Sequence, residues 1–477
     1  SGAGGAGGDG GGGTGSASGG PDGGSGSVVG TGAACPADPN LPKEPVDPPP
    51  CTTLMATKST PDETALDTSR IQAALNSCGA GKAVKLTSSG ANNAFVTARL
   101  TINGTYLMVD AGTTLYASRN PSSYGCSAGT GAASNSCGAV IDVTGSGAGI
   151  VGGGIIDGQG GEPIVGMTQS WWDVSVALRS SNGSASNPAL IAVSNATNFV
   201  MHNIHIYNSP KFHVKLSSAG YIVWGVEVLT PSKATNSMGA ALTPYGARNT
   251  DGIDPGGGSG GTSNGYLVCS KISVGDDEVA IKAGKAHVSN LTFAHNHFGS
   301  GHGMSIGSET GAGASNITVY DLTIDGSIPT GGAPNGDRNG IRIKSYNGNG
   351  GLVDKVSYTD VCIRDLANPI LLNPNYTMGT GTGGGIPKFT NISLKNIQVS
   401  GGGTVTLDGF DPSNITTASL DNVVVDGSPT VTAQNAAITI GPGGINFPPP
   451  TGTGVTVTGA QGTPTPIDCS ARWVTFP

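Results

Sequence analysis

The sequence predicts an all-β protein wound as a parallel β-helix, in which each coil of the chain stacks on the coil before it. Three observations support this fold. Glycine is over-represented, at 81 of 477 residues, while charged residues make up only 11%. Short runs of Val, Ile and Leu alternate with polar residues along most of the chain, which is typical of strands. Similar segments also recur at a nearly constant spacing, which indicates stacked coils.

The recurrence is clearest at two kinds of residue pair. Ser-Asn occurs at 289–290 and again at 315–316, 26 residues later, and Asn-Ile occurs at 391–392 and 414–415, 23 residues apart. A coil of this length holds several short strands, whereas a propeller blade needs a longer repeat with four clear strands. The spacing therefore favours the parallel β-helix.

The first residues do not share this pattern. Residues 1–34 are half glycine and contain no Lys or Arg, so they cannot bury enough apolar surface to offset the entropy lost on ordering. A proline-rich stretch ending at 48–50 follows. We expect residues 1–50 to form a disordered tail and residues 51–477 to form one β-helix domain.

A short helix is predicted near the start of this domain. Residues 62–75 carry apolar side chains at Leu66, Ile71 and Leu75, with acidic residues early, which is an amphipathic helical pattern. We expect this helix to cap one end of the solenoid.

The overall charge excludes some functions. The net charge is −8 and the pI about 5.3, which argues against nucleic-acid binding because that needs a basic surface. A local basic cleft for a polyanionic ligand remains compatible with an acidic total.

No run of apolar residues approaches the ~20 residues of a membrane span.

The eight cysteines indicate an oxidising compartment. Their pairs lack C-x-x-C spacing, so zinc and redox motifs are not expected. Cys51 and Cys78 bracket the helical segment, and Cys126 and Cys137 bracket a small-residue loop. We predict these two disulfides because each would close a short loop and so restrict the unfolded chain, and because an even number of cysteines is typical of proteins from oxidising compartments. Cys269 and Cys362 fall on strands and are compatible with buried free thiols, and Cys35 and Cys469 have no assigned partner.

Four segments concentrate polar groups in an otherwise charge-poor chain. They are NTDGID at 249–254, GDDEVAIKAG at 275–284, GSGHGMSIGS at 299–308 and NGIRIKS at 339–345. Asp251 and Asp276 are 25 residues apart, as are Asp277 and His302, and both spacings match one coil. Stacked strands lie ~4.8 Å apart, so these side chains should meet on one wall.

This combination of residues suits the hydrolysis of a glycosidic bond. Such a reaction needs one protonated carboxylic acid and one carboxylate, and crowded carboxylates raise the pKa of at least one of them. Arg342 and Lys344 are two residues apart and share one face of a strand, where they would bind a substrate carboxylate. Gly301 and Gly303 flank His302 and are expected to let a sugar approach closely.

Each segment by itself has a plainer interpretation. An Asp pair is usually a turn or cap, a histidine between glycines is usually a loop residue, and Arg-x-Lys is an ordinary strand face. A cluster of aspartates can also hold Ca²⁺. The order and the coil spacing of all four segments favour a carbohydrate-active site.

At these segments the chain resembles the polygalacturonases, glycoside hydrolase family 28, whose pattern is NTD, then DD after Gly, then GHG, then R-x-K. VGGGIIDGQGG at 151–161 and IYNSPKFHV at 206–214 resemble bacterial endo-acting members. The resemblance covers roughly residues 51–477. It implies a right-handed, pectin-lyase-like β-helix and a secreted, monomeric enzyme that acts on polygalacturonate or pectin with no cofactor and no metal.

The resemblance also implies a role for each site residue. Asp276 would be the general acid, Asp251 and Asp277 would activate the attacking water, and His302 would tune the carboxylates. The substrate-binding residues would be Asn249, Arg342, Lys344 and, by a looser match, Tyr376. The implied stereochemical course is inversion.

Three alternatives remain open. An exo-acting polygalacturonase would keep the same residues and close one end of the cleft with loops, for which the insertion around 328–339 is a candidate. A pectate lyase would need Ca²⁺ and a basic proton abstractor. A non-catalytic pectin-binding β-helix would not require the acid cluster.

Overall fold

The computed structural model describes residues 35–126, 137–178, 185–332, 338–376 and 385–476. The tail expected at residues 1–34 lies outside these ranges. Within them the chain winds into a parallel β-helix, which confirms the predicted fold class. No helix among the described residues is both long and apolar enough to cross a membrane.

The described elements are mostly short strands. The helices are α1 (Thr68–Ser77) and α2 (Trp171–Ala177), with short 3-10 helices at Pro121–Tyr124 and Ser470–Arg472. The strands of the first coils are β1 (Pro50–Met55), β2 (Ala83–Thr87), β3 (Ala94–Thr97), β4 (Leu100–Asn103), β5 (Tyr106–Val109), β6 (Thr114–Ala117), β7 (Ile141–Ser146), β8 (Gly149–Val151), β9 (Ile155–Asp157), β10 (Ile191–His202), β11 (His205–Tyr207), β12 (Val214–Trp224) and β13 (Glu227–Leu229). The strands of the later coils are β14 (Ile253–Pro255), β15 (Thr262–Val268), β16 (Lys271–Ser273), β17 (Val279–Ile281), β18 (Val288–Phe298), β19 (Met304–Ile306), β20 (Ala314–Asp325), β21 (Asn339–Lys344), β22 (Leu352–Arg364), β23 (Asn368–Asn373), β24 (Lys388–Ser400), β25 (Thr404–Asp408), β26 (Thr416–Val425), β27 (Thr430–Gln434), β28 (Ala436–Ile440) and β29 (Thr456–Gly459).

The strands stack into three parallel faces, which we call sheets A, B and C. Sheet A begins with β1, β2, β5 and β8, and sheet B contains β3, β6, β9, β11, β13 and β16. Sheet C runs through β14, β17, β19, β21, β23, β25 and β27. Long strands such as β18 and β20 bend at a corner and contribute to more than one face.

The bends are made by residues in the left-handed backbone region. Asn264, Asn290 and Asn316 have φ of 55°, 56° and 57° and occupy equivalent corners of successive coils. The Asn290 amide donates to Asn264 at 3.2 Å, and the Asn316 amide donates to Asn290 at 3.1 Å. Asparagine suits this position because its short polar side chain tolerates the left-handed conformation. The 26-residue spacing noted in the sequence is therefore one coil.

The core is a set of columns of stacked apolar side chains. One column follows the in-register partners Leu267, Phe293, Val319, Tyr358 and Leu394, all of which are buried. A single coil cannot bury its inward side chains alone, so the core exists only because the coils stack.

Helix α1 is present but shorter than predicted. It begins at Thr68 rather than Asp62, because the Asp62 carboxylate accepts from the Thr64 backbone N–H at 2.8 Å and so forms a local turn that competes with a helix. Leu66 therefore lies outside the helix and is exposed, while Ile71 and Leu75 join the core. The helix lies against β2 and β4 in the first coils.

The predicted boundary at Cys51 was wrong for residues 35–50. Cys35 forms a disulfide with Cys269, and Leu41 packs with it against Trp224 and Val268. Asp38 lies 2.7 Å from the Tyr320 hydroxyl. This stretch is thus attached to the solenoid by a covalent bond and by side-chain contacts that composition does not reveal.

The cysteines form four disulfides. Two are the predicted pairs Cys51–Cys78 and Cys126–Cys137. The others join Cys35 to Cys269 and Cys362 to Cys469, so the interpretation of the two strand cysteines as free thiols was wrong. Both of these long-range bonds tie a terminal segment to the side of the solenoid.

The asparagine corner can be tested by substitution at Asn290. Asn290→Ala should lower the melting temperature more than Asn290→Gly does. Both variants lose the amide ladder, but only alanine pays the left-handed strain of ~1–2 kcal/mol. Thermal unfolding followed by circular dichroism measures this order. Equal melting temperatures for the two variants would contradict the role given to the backbone conformation.

Candidate active site

The predicted site residues lie at the corner between sheets B and C. Ile253, Val279 and Met304 are in-register partners on β14, β17 and β19. Asp251, Asp277 and His302 each precede one of these residues by two positions. The backbone confirms their stacking, because Gly252 N–H donates to the Asp277 carbonyl and His302 N–H to the Asp276 carbonyl, both at 2.9 Å. The register thus aligns Asp251 with Asp277, rather than with Asp276 as the 25-residue spacing suggested.

Asp277 is the carboxylate most fully held by cations. Its two oxygens lie 3.2 Å from an Arg342 nitrogen and 2.9 Å from Lys344 Nζ, and the Ser305 hydroxyl donates to it at 2.8 Å. Burial acts to raise the pKa of Asp277, but Lys344 and Arg342 outweigh it and the pKa is lowered. Asp277 is therefore ionised.

Asp276 is the most accessible carboxylate of the three. Its side chain is 19% exposed, compared with 4% for Asp251 and 1% for Asp277. His302 Nδ1 lies 3.1 Å from its Oδ1. Burial acts to raise the pKa of Asp276, but the charge and hydrogen bond of His302 outweigh it, so the pKa is lowered in the ligand-free chain.

Asp251 has the opposite electrostatics. Burial raises its pKa to about 7, and the neighbouring Asp276 adds to the rise. Lys282 Nζ, 3.4 Å from Asp251 Oδ2, opposes it. His213 is buried, its pKa lowered by burial to about 4, and its Nδ1 lies 3.0 Å from the Asp251 carbonyl. A neutral histidine therefore fixes the backbone of the carboxyl that holds a proton near neutral pH.

The two basic residues predicted from R-x-K lie on β21 beside the carboxylates. The Tyr376 ring lies 5.3 Å from both the Arg342 guanidinium and Lys344 Nζ, so the structure brings this more loosely predicted residue to the same place. Asn249 precedes Asp251 by two residues and has a φ of 58°. The structure therefore gathers the six main candidates, with Tyr376 against the cations.

Sequence reasoning missed several polar residues of this corner. Lys282, Asp254 and Ser305 are among them, although they lie within the four conspicuous segments. Asp254 is fully buried, and burial followed by the charge of Asp251 raises its pKa well above the usual value. The position of Lys282 along its coil could have indicated this residue. Lys282 pairs in register with Gly256, which follows Asp254 by two residues.

The glycines around His302 have a packing role that the sequence did not indicate. A Cβ on Gly301 would lie 2.4 Å from the buried Glu278 carboxyl, and one on Gly303 would lie 2.1 Å from the Gly340 carbonyl oxygen. Gly303 also has a φ of 85° and donates its N–H to Glu278 at 2.5 Å. These glycines are required by packing within the protein, and the expectation that they also let a sugar approach closely stays a prediction.

The cluster also has the composition of a possible metal site. Ligand atoms of Asp276, Asp277 and His302 lie within 4.8 Å of one another. However, Asp277 is already held by two cations and a hydroxyl. A metal ion would have to displace these contacts, so the residues fit a metal poorly.

The comparison with protein families decides the identity. The model of glycosyl hydrolases family 28 matches residues 68–441. The chain belongs to this family. It is therefore a glycoside hydrolase, and its solenoid is a right-handed parallel β-helix.

Relatives match this family 28 chain over most of its length. It is 36% identical to a polygalacturonase of Ralstonia nicotianae, over 92% of this chain and 91% of that protein. It is 36% identical to an endo-polygalacturonase of Pectobacterium carotovorum, over 86% and 94%. Among solved structures, the polygalacturonase of Erwinia carotovora superposes with a TM-score of 0.68 at 32% identity, covering 88% of this chain and all of that one.

The electrostatics of this family 28 site can be tested at Lys282. Removing a cation beside Asp251 disfavours the ionised carboxylate, so Lys282→Met should raise the pKa of Asp251 by roughly 1 unit. Carboxyl carbon NMR across pH measures the shift. Lys282→Arg is the matched control and should leave the titration close to that of the wild type. An unchanged Asp251 titration in Lys282→Met would show that Lys282 does not govern it.

Proposed function

We propose that the protein is an endo-acting polygalacturonase that hydrolyses the α-1,4-galacturonosidic bonds of de-esterified pectin with inversion. One observation carries this proposal: three stacked carboxylates, one of them proton-bearing near neutral pH, lie beside Arg342 and Lys344 in a family 28 chain. The names of the relatives, polygalacturonase and endo-polygalacturonase, support the substrate.

Asp276 is proposed to donate the proton to the leaving glycosidic oxygen. Its greater exposure makes it the carboxyl best able to reach a substrate. Asp277, ionised and fixed by three partners, acts with Asp251 to orient and deprotonate the attacking water. In this arrangement Asp276 supplies the acid and the other two supply the base.

The acid role of Asp276 requires a proton that, in the ligand-free protein, lies elsewhere. Burial raises the pKa of Asp251, whereas His302 lowers that of Asp276, so the shared proton rests on Asp251 before substrate binds. The carboxyls interact and titrate as a unit. Lys344 is one of the charges that lower the pKa of Asp276. A substrate carboxylate paired with Lys344 therefore raises the proton affinity of Asp276 and favours transfer of the proton to it.

Substrate contacts are proposed for four residues. Arg342 and Lys344 bind the carboxylate of the sugar beside the scissile bond by charge-assisted hydrogen bonds. Tyr376, which lies against both cations, supports that sugar, and Asn249 contacts the chain from the turn before Asp251. No metal or cofactor enters the proposed mechanism.

The setting of the enzyme is part of the proposal. Four disulfides suit an oxidising compartment, and a polymeric plant substrate lies outside the cell. We propose a secreted, monomeric enzyme. The Gly-rich residues 1–34 are proposed to be a tail outside the catalytic unit.

The acid role of Asp276 is tested by an isosteric substitution. Asp276→Asn should lower kcat on polygalacturonate by about 10²- to 10⁴-fold, the usual contribution of general acid catalysis, with unchanged circular dichroism. Asp277→Asn should cause a comparable loss. Asp354→Asn, which alters a carboxyl bonded to Thr390 on another corner, is the control and should retain activity. Full activity in Asp276→Asn would remove this residue from the mechanism.

The endo mode and the reaction class are tested together. When the enzyme is incubated with polygalacturonate in the presence of a chelator, the viscosity should fall early while the concentration of reducing ends rises slowly. This is because an endo enzyme cleaves bonds in the interior of the polysaccharide. Release of only small products would instead favour an exo enzyme. Activity lost to chelator, with an ultraviolet-absorbing unsaturated product, would favour a lyase. Binding without cleavage would favour a pectin-binding protein, and NMR of the first-formed anomer tests inversion.

A further inference from the structure

Glu278 is a buried carboxyl that comes directly after the two aspartates of the site, and the proposed mechanism does not use it. Its side chain has no exposed surface. Oε2 accepts the Gly303 N–H at 2.5 Å, whereas Oε1 is buried and has no hydrogen-bond partner among the described atoms. Burying a carboxyl is unfavourable unless its contacts compensate, so a carboxyl at this position requires an explanation.

The contacts of Glu278 join the three turns that carry the catalytic candidates. Glu278 follows Asp277 in the chain, and its carbonyl accepts the Ile253 N–H at 3.0 Å. Its side chain accepts the N–H of Gly303, the residue after His302. One residue thus connects the turns that precede β14, β17 and β19.

The turn around His302 is fitted to this carboxyl. A Cβ on Gly301 would lie 2.4 Å from the carboxyl carbon of Glu278, much closer than the ~3.5–4.0 Å of an ordinary carbon contact. The carboxyl therefore packs directly against the backbone at Gly301, and it accepts a hydrogen bond from the backbone at Gly303. His302 lies between these two contacts, so the Glu278 side chain holds the backbone on both sides of it.

Glu278 holds this turn without adding negative charge to the site. Burial raises the pKa of Glu278 well above its usual value, and the charges of Asp277 and Asp276 add to the rise, while the hydrogen bond from Gly303 opposes it. The carboxyl is therefore uncharged near neutral pH. A further ionised carboxylate here would repel those of Asp276 and Asp277, whereas the uncharged group accepts the same hydrogen bond without that repulsion.

We infer that Glu278 is a positioning residue, which holds the His302 turn so that the imidazole stays within hydrogen-bond distance of Asp276. His302 Nδ1 lies 3.1 Å from Asp276 Oδ1, and a shift of the turn would lengthen this contact. The inference rests on the proposed function, because it assigns a residue that supports the proposed acid without touching the substrate. Loss of the contact should affect the rate more than binding, since Arg342 and Lys344 lie on another strand.

Two side chains of similar size separate the hydrogen bond of Glu278 from its packing. Glu278→Met fills the space but offers no oxygen to the Gly303 N–H. Its kcat on polygalacturonate should fall by roughly ten-fold with little change in KM, which is within the ~100-fold that a misplacement of ~1 Å can cost. Glu278→Gln keeps an acceptor, resembles the uncharged acid and should keep most of the activity. An unchanged kcat in Glu278→Met, or an equal loss in both variants, would refute the inference.

The titration of His302 distinguishes positioning from a general loss of stability. Burial lowers the pKa of His302, but the charge and hydrogen bond of Asp276 outweigh it, so the pKa is raised. If Glu278→Met moves the ring away from Asp276, this pKa should fall by roughly 1 unit, which NMR of the imidazole measures. Leu420→Ala opens a space in the core several coils from the site. This control should lower the melting temperature and leave the His302 titration unchanged.

Gly301→Ala tests the same contact from the other side. Gly301 does not have a positive φ, so alanine strains the contact with Glu278 rather than the backbone. This variant should lower both kcat and the pKa of His302. Adding Gly301→Ala to Glu278→Ala should cost much less, because the carboxyl is gone and the methyl group has room. Losses that simply multiply would contradict a shared contact.

The outcomes separate this inference from the proposed function. If the wild type does not cleave polygalacturonate, the proposed function fails, and the His302 titration in Glu278→Met still decides whether Glu278 positions the turn. If the wild type cleaves it, but Glu278→Met keeps the wild-type titration of His302, only the inference is refuted.

Discussion

The structure depends on one constraint, the in-register stacking of parallel strands from coil to coil. Because neighbouring strands lie ~4.8 Å apart, residues a full coil apart in sequence become neighbours on one wall. Stacking first creates the core, as in the column that runs from Leu267 to Leu394. The same register then aligns Asp251, Asp277 and His302. The same strand register therefore forms both the core and the active site.

Carboxylates stacked this closely repel one another when ionised. Buried cations at this corner offset that repulsion. Asp277 is ionised because Arg342 and Lys344 face it, and Asp251 retains its proton because burial and Asp276 outweigh Lys282. Environments that push carboxyl pKa values apart are what acid–base catalysis requires. The cations that hold the acids are also those that would meet the substrate carboxylate. Substrate binding and proton placement are therefore linked.

The ends of the chain are fixed to the solenoid by a different means. Cys35 and Cys469 attach their segments through disulfides to Cys269 and Cys362. Asp38 and Arg472 reach the same side of the solenoid: Asp38 lies near His295, which pairs with Asp321, and Arg472 pairs with Asp321. A solenoid exposes strand edges only at its ends, and α1 lies at the first coils.

The sequence by itself determined the kind of fold and most of the site, because both are periodic. Asn290 and Asn316 revealed the coil length, and the same length linked the aspartates to His302. What depends on contacts between distant segments was decided only by the tertiary structure. The attachment of residues 35–50, the pairing of Cys269 and Cys362, and the packing role of Gly301 and Gly303 leave no local pattern. The role of Lys282 was likewise not predicted, although the residue lies in one of the four segments, because the effect of a cation depends on the neighbours that folding brings within a few ångströms.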